Sequence, residues 1–128
     1  MREIKFRAWD KENKIMIIDD CSILVDSSDG AILNSRKDDY ETELVLMQYT
    51  GLKDKNGKEI YEGDIGLHNT WRVEVRWNGK MCYYYVEFSK TQFGNNYRTR
   101  LYECYSTIKP YKIDFEVIGN IYENPELI

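Results

Sequence analysis

The sequence predicts a mainly β protein: a small, tightly curved barrel preceded by an N-terminal β-hairpin or meander lobe, with little helix. Three observations predict it. Residues 2–9 alternate apolar and polar side chains with the period of two that marks a half-buried strand. Residues 48–65, QYTGLKDKNGKEIYEGDI, bring two turn signals and the start of a strand close together. Asn78-Gly79 stands between two runs rich in valine, tryptophan and tyrosine, the strongest short-range signal for a β-hairpin.

In the first run Ile4, Phe6 and Ala8 fall on one face, with Glu3, Lys5, Arg7 and Trp9 on the other. Residues 10–14 make a turn, and residues 15–18, IMII, return as a second strand. The next segment differs in composition. Asp19, Asp20, Asp26, Asp29, Asp38, Asp39, Glu41 and Glu43 face only Arg36 and Lys37, among Ser-Ser-Asp-Gly and Asn-Ser loop markers. A mobile acidic loop is expected over residues 26–39. Residues 41–49 fit either a short strand or one to two turns of helix.

Asp54-Lys55-Asn56-Gly57 is a turn with a mechanism, since Asp accepts hydrogen bonds from amides ahead of it while Asn and Gly tolerate positive φ. Lys58-Glu59-Ile60-Tyr61 resumes an extended pattern, and Gly63-Asp64 permits a sharp bend before Ile65. At Asn78-Gly79 a type I′ turn pairs Trp77 with Lys80. That register sets Val75 opposite Cys82, Val73 opposite Tyr84 and Trp71 opposite Val86 as a core face. The other face then holds Arg72 opposite Tyr85, Glu74 opposite Tyr83 and Arg76 opposite Met81. After Gly94-Asn95-Asn96, residues 97–105 read as a further strand, with a short helix over 101–108 as the alternative. Phe115, Val117 and Ile121 lead to Asn124-Pro125, where the missing proline amide ends the strand that closes the sheet.

Three blocks, in this order and spacing, carry a resemblance: REIKFRAWD over residues 2–10 with Met16 shortly after, the 48–65 stretch, and VIGNIYENPELI over 117–128. Together they resemble the YopX family of phage and prophage proteins. The resemblance implies a mainly β protein with a small SH3-like barrel and no known biochemical role. On this reading residues 1–128 are a single YopX-like domain, with an N-terminal β lobe carrying the acidic loop over 1–47 and the SH3-like barrel portion over 48–128. Gln48, Gly51, Asp54, Gly57, Ile60, Tyr61, Gly63, Asp64, Gly119, Asn120 and Pro125 are its motif positions, structural in kind, and it supplies no catalytic residue. The family pattern continues with Val after Gly-Asp-Ile, whereas this chain has Gly66, so an irregular strand is expected there.

Composition narrows the function classes. At 128 residues, 42% hydrophobic and 31% charged, the chain has the balance of an ordered globular protein. No apolar run approaches a bilayer span, and the N-terminus lacks the continuous apolar stretch of a signal peptide, so a cytoplasmic protein is expected. Cys21, Cys82 and Cys104 are odd in number and widely spaced, which reads as reduced thiols and not as a zinc site. His68 is the one imidazole, so a Ser-His-Asp or Cys-His centre has little to draw on; a side chain satisfied by backbone is the plainer reading. Glu59, Glu62 and Asp64 read as solvated strand and turn residues, not as a carboxylate pair or metal ligands. Neither a P-loop nor a G-x-G-x-x-G is present. No enzyme, metal or cofactor is expected.

The net charge of −4 conceals a division along the chain. Over residues 70–112, Arg72, Arg76, Lys80, Lys90, Arg98, Arg100, Lys109 and Lys112 face only Glu74, Glu87 and Glu103, interleaved with seven tyrosines. Such a surface suits a protein-interaction or assembly module, with a homo-oligomer formed as the acidic loop of one copy meets the basic region of its neighbour. The alternative is single-stranded nucleic-acid binding, with phosphate contacts from Lys90, Arg98 and Arg100 and stacking on Tyr83, Tyr85 or Tyr97, and with Arg72 on the same face. A third reading takes the acidic segment as a mimic of DNA.

Overall fold

The computed structural model describes residues 3–18, 23–25, 32–34, 44–88, 98–104 and 113–128. The chain divides into two compact units, Met1–Tyr49 and Thr50–Ile128. Mainly β structure is what the alternating patterns predict and what these residues form, with one sheet curled into a half-barrel.

In the first unit, β1 (Phe6–Asp10) and β2 (Ile15–Ile18) form the expected hairpin, Asp10 opposite Ile15 and Arg7 opposite Ile18. Asp10 organises its turn: its carboxylate accepts from the backbone of Glu12 and Asn13, both at 3.0 Å, and from the Asn13 side chain at 2.8 Å. On its other side β1 pairs with β5 (Leu44–Lys53), so residues 44–49 form a strand and not a helix, while residues 41–43 lie outside the described residues. Ala8 and Leu44 are buried, with Ile17 and Leu46 against them. The expected core face is shorter than the alternation implies. Ile4 is 69% exposed and Phe6 is exposed, whereas Arg7 is buried. Ile4 precedes β1, and β2 ends opposite Arg7, so no β2 residue flanks Phe6.

A short hairpin that the loop markers hid brackets and enters the expected acidic loop. Here β3 (Ile23–Val25) pairs with β4 (Ile32–Asn34), Leu24 opposite Leu33. The remaining residues of that loop, 26–31 and 35–39, lie outside the described residues.

In the second unit, β6 (Glu59–Tyr61) follows the Asp54 turn, and Thr50 of β5 donates its hydroxyl hydrogen to the Ile60 carbonyl at 2.8 Å. Among the described residues the main sheet has five strands: β7 (Asp64–His68), β8 (Trp71–Asn78), β9 (Tyr83–Phe88), β10 (Arg98–Arg100) and β11 (Glu116–Asn120), in the order β10–β9–β8–β7–β11. Its inward residues, Val73, Val75, Tyr84, Val86 and Phe88, join Ile60, Leu101, Cys104 and Phe115 in one core. After β10 the chain turns into a single 3₁₀ turn, Leu101–Glu103, which seats Leu101 in that core; the helical alternative for 101–108 shrinks to this turn among the described residues.

The β8–β9 hairpin corrects the expected register. Asn78 pairs with Tyr83, Trp77 with Tyr84, Arg76 with Tyr85 and Val75 with Val86, each partner four residues further along than a two-residue turn would place it. A four-residue loop, 79–82, replaces the type I′ turn. Asn78 uses its side chain instead of positive φ: its Oδ1 accepts from Lys80 N at 3.1 Å and Met81 N at 3.2 Å. Cys82, at φ 55°, takes the left-handed position and donates its amide to the Asn78 carbonyl at 2.8 Å. Because four is even, the paired strand residues keep their faces, whereas Cys82, expected in the core opposite Val75, is exposed in the loop. Trp71, expected opposite Val86, pairs with His68 on β7. There Asn69 and Thr70, with φ of 50° and 71°, make a two-residue turn.

Candidate functional site

Strand alternation puts Glu74, Arg76 and Asn78 of β8, Tyr83, Tyr85 and Glu87 of β9, and Arg98 and Arg100 of β10 on the outer face of the main sheet. Glu74 and Glu87 are directly opposite, a repulsive placement for like charges. Arg76 resolves it by binding both, with Nε 2.9 Å from Glu74 and Nη1 3.0 Å from Glu87. The Glu74 hydrogen bond raises the Arg76 pKa against the opposing effect of burial, and the Glu87 charge adds to it, so this guanidinium is permanently charged. Arg98 extends the chain of charges, its Nε 3.4 Å from Glu87.

Arginine and tyrosine meet diagonally across β9 and β10. The Arg98 guanidinium lies 5.1 Å from the centre of the Tyr85 ring, and that of Arg100 lies 5.0 Å from Tyr83. Arg100 also lies 6.0 Å from the Tyr102 ring centre and donates to its hydroxyl at 2.8 Å. These are cation–π distances, each contributing about 0.5–1 kcal/mol at an exposed site. Asn78, Tyr83, Tyr85, Arg98, Thr99 and Arg100 line an open groove of about 230 Å³ here.

The structure therefore gathers Tyr83, Tyr85, Arg98 and Arg100 from the predicted contact set, and adds Asn78, Thr99 and Tyr102. Arg72 is elsewhere: it pairs with Leu67 near the β7 turn and donates to the Leu127 carbonyl at 3.1 Å. Lys90 and Tyr97 lie outside the described residues. Asn78 was hidden by its reading as a turn residue, and Tyr102 by the ambiguity between strand and helix. Tyr85 is only 9% exposed, since Arg98 lies over its ring.

His68 is half-buried at the end of β7. Its Nδ1 is 2.7 Å from the Asp114 carbonyl, which can only accept, so Nδ1 carries the hydrogen. Its ring meets Phe88 edge-on at 6.3 Å. Among the described residues no group of three His, Cys, Asp or Glu side chains is placed to hold a metal ion, and no helix is long and apolar enough to cross a membrane.

The family model described as YopX protein matches residues 5–128. The chain belongs to the YopX family. Its fold is similar to the crystal structure of protein EF1440 from Enterococcus faecalis, which is 29% identical, with 99% of each chain covered and a TM-score of 0.59. Comparison with curated proteins finds no match.

Of the YopX motif positions, Gln48 lies in the first unit and the rest in the second. Asp54 is the hub of the second unit. Its Oδ1 accepts from Asn56 N at 2.9 Å and Lys58 N at 2.8 Å, closing the turn in which Gly57 takes φ 83°, and its Oδ2 accepts from Val117 N at 2.9 Å. One carboxylate thus fixes a turn and the start of β11, 63 residues away. Gly63, at φ 81°, links two further elements: its amide donates to the Val75 carbonyl and its carbonyl accepts from Ile121 N, both at 2.9 Å. Tyr61 N donates to Asp64 Oδ2 at 2.8 Å, and Asp64 is buried; the expectation of a solvated carboxylate there is wrong because it satisfies the bend behind it. Glu59 and Glu62 remain half-buried. Ile60 is core, Gln48 pairs with Phe6, and Gly51 sits at φ 87° within β5.

At the other end of the YopX chain, Asn120 Oδ1 accepts from Tyr122 N at 3.0 Å and Glu123 N at 2.8 Å, and Pro125 opens the 3₁₀ turn Pro125–Leu127. Gly119 leaves room for Asn124, whose Oδ1 would be 2.5 Å from an added Cβ. Gly66 also has a steric cause. β7 is regular through it, contrary to expectation, and the register shift falls in β11 between Val117 and Gly119. The Phe115 ring sits where a side chain at position 66 would be.

Proposed function

We propose that this YopX chain is a non-enzymatic protein-interaction or assembly module of phage or prophage origin, working in the host cytoplasm, whose docking surface is the outer face of β8, β9 and β10. The observation that supports this most is the placement of Arg98 and Arg100 over Tyr85 and Tyr83. A base-stacking platform needs bare rings. Here the tyrosines hold guanidinium groups in place, and Glu74 and Glu87 offset much of the positive charge that phosphate would need. What the face offers is a rigid array of planar donors at exposed positions, suited to carboxylates of another protein surface. Light scattering at micromolar concentration, in low and in high salt, tests assembly: self-association that weakens with salt is expected, and a monomer under both conditions ends the assembly reading.

Single-stranded nucleic-acid binding is the second reading, favoured by the convergence of Tyr83, Arg98 and Arg100 on one groove. Fluorescence anisotropy with labelled oligonucleotides tests it. Undetectable binding at low salt, or binding unaffected by Arg98→Ala with Arg100→Ala, removes it.

A further inference from the structure

The outer face of the main sheet carries its charges in two layers. Glu74 and Glu87 lie underneath, their side chains 13% and 11% exposed, and the arginines that bind them lie above, Arg76 at 45% and Arg98 at 54%. A molecule approaching this face meets guanidinium groups before carboxylates. The arginines differ in the donors they still present. Arg76 engages Glu74 through Nε and Nη2 and Glu87 through Nη1, so all three of its nitrogens are committed. Arg98 is held only at its inner end, by Nε against Glu87 and by the Tyr85 ring; among the described residues neither of its terminal nitrogens has a partner. Those two nitrogens form an edge of the guanidinium that binds a carboxylate through two parallel hydrogen bonds.

Arg100 stands two residues along β10 on the same face, over Tyr83 and oriented by the Tyr102 hydroxyl. The spacing is set twice, by Arg98 and Arg100 on one strand and by Tyr85 and Tyr83 on the next, each pair two residues apart and so about 6.5–7 Å. Side chains ordered in advance lose little further entropy when they bind. In an extended peptide, carboxylates at alternate positions share one side and have the same repeat. We propose that the groove of Asn78, Tyr83, Arg98 and Arg100 binds an extended acidic segment of a partner protein, with Asp or Glu at positions i and i+2 meeting Arg98 and Arg100. This rests on the protein-interaction reading above and names the chemistry of the partner. A phosphodiester strand also repeats its charge, but its bases need open rings, and both tyrosines here lie under guanidinium groups. Arg76, Arg98 and Arg100 against Glu74 and Glu87 leave these outer-face residues one net positive charge, which suits a short acidic segment better than a polyanion.

Two labelled peptides of one composition test it with the full-length protein: Ser-Glu-Ser-Glu-Ser, whose carboxylates alternate, and Ser-Glu-Glu-Ser-Ser, whose carboxylates are adjacent and point to opposite sides when extended. Fluorescence anisotropy at low salt should show the alternating peptide binding at least about fivefold more tightly. Arg98→Lys keeps the charge at an exposed position but loses the paired donors, and it should bring the two peptides to within about twofold of each other. Lys58→Ala, which removes a charge from an exposed position in the Asp54 turn, should leave the preference as it is. Equal binding of the two peptides by wild type, a preference that survives Arg98→Lys, or no binding of either overturns this occupant. Light scattering still decides the assembly reading by itself, since self-association of the wild type involves neither peptide. An oligonucleotide that displaces the alternating peptide and binds more tightly assigns the groove to nucleic acid and overturns both.

Discussion

Gly66→Ala should destabilise the second unit, although glycine is a poor strand residue and alanine there would ordinarily help. A Cβ at position 66 would sit 2.2 Å from Phe115 Cζ and 2.6 Å from each Cε, where ordinary contact starts at 3.4 Å. The ring would have to retreat by the difference between 3.4 and 2.2 Å, about 1.2 Å. Phe115 is fully buried among Ile60, Val73, Leu101 and their neighbours, so no solvent gap accepts the ring. Overpacking of this kind costs about 1–3 kcal/mol. Alanine returns about 0.5–1 kcal/mol by restricting the unfolded chain. A retreat of that size puts the cost in the upper part of the range, about 2–3 kcal/mol, so the clash wins with a net loss of about 1–2.5 kcal/mol. Urea unfolding followed by the fluorescence of Trp71 and Trp77 measures it, provided the slope is unchanged. Phe115→Leu shrinks the ring that causes the clash, so the double variant should be more stable than the summed single effects by about 1 kcal/mol. Gly66→Ala within about 0.5 kcal/mol of wild type, or strict additivity with Phe115→Leu, would refute the reasoning.

Asp54→Ala removes three backbone hydrogen bonds to one carboxylate and unties β11 from the turn, so a loss of about 3 kcal/mol or more is expected in the same denaturation assay. Thr70→Gly should raise stability by about 1 kcal/mol, because a β-branched residue at φ 71° is strained where glycine is not; an unchanged midpoint would dismiss that strain. Arg76→Met keeps the apolar stem but leaves Glu74 and Glu87 opposed. It should cost about 1 kcal/mol, since the arginine is nearly half exposed, and the loss should shrink in 1 M salt as the repulsion is screened.

Much of the candidate site was legible in the sequence as composition, and little of it as geometry. Basic and aromatic residues over 70–112 announced a special surface, and the period of two assigned Tyr83 and Tyr85 to one side and Tyr84 to the other. The sequence did not reveal that Arg98 and Arg100 would cover those rings. That depends on which residues of β10 lie opposite Glu87 and Tyr85, a pairing across more than ten residues of chain. Arg72 was grouped with them because it shares their alternation, but it belongs to the far end of β8, where Leu127 claims it.

What the sequence by itself determined is local: the Asp54 turn, the Asp10 turn, the bend at Gly63 and the face that Val73, Val75, Tyr83 and Tyr85 present, all set by backbone geometry within a few positions. Tertiary structure decided the β8–β9 register and with it the length of the connecting loop. A two-residue turn and a four-residue loop keep the same inward face, so local chemistry tolerates both, and only packing of Val75 on Val86 and Val73 on Phe88 separates them. It also decided Gly66, whose missing side chain makes sense only once Phe115, nearly fifty positions away, is laid across it.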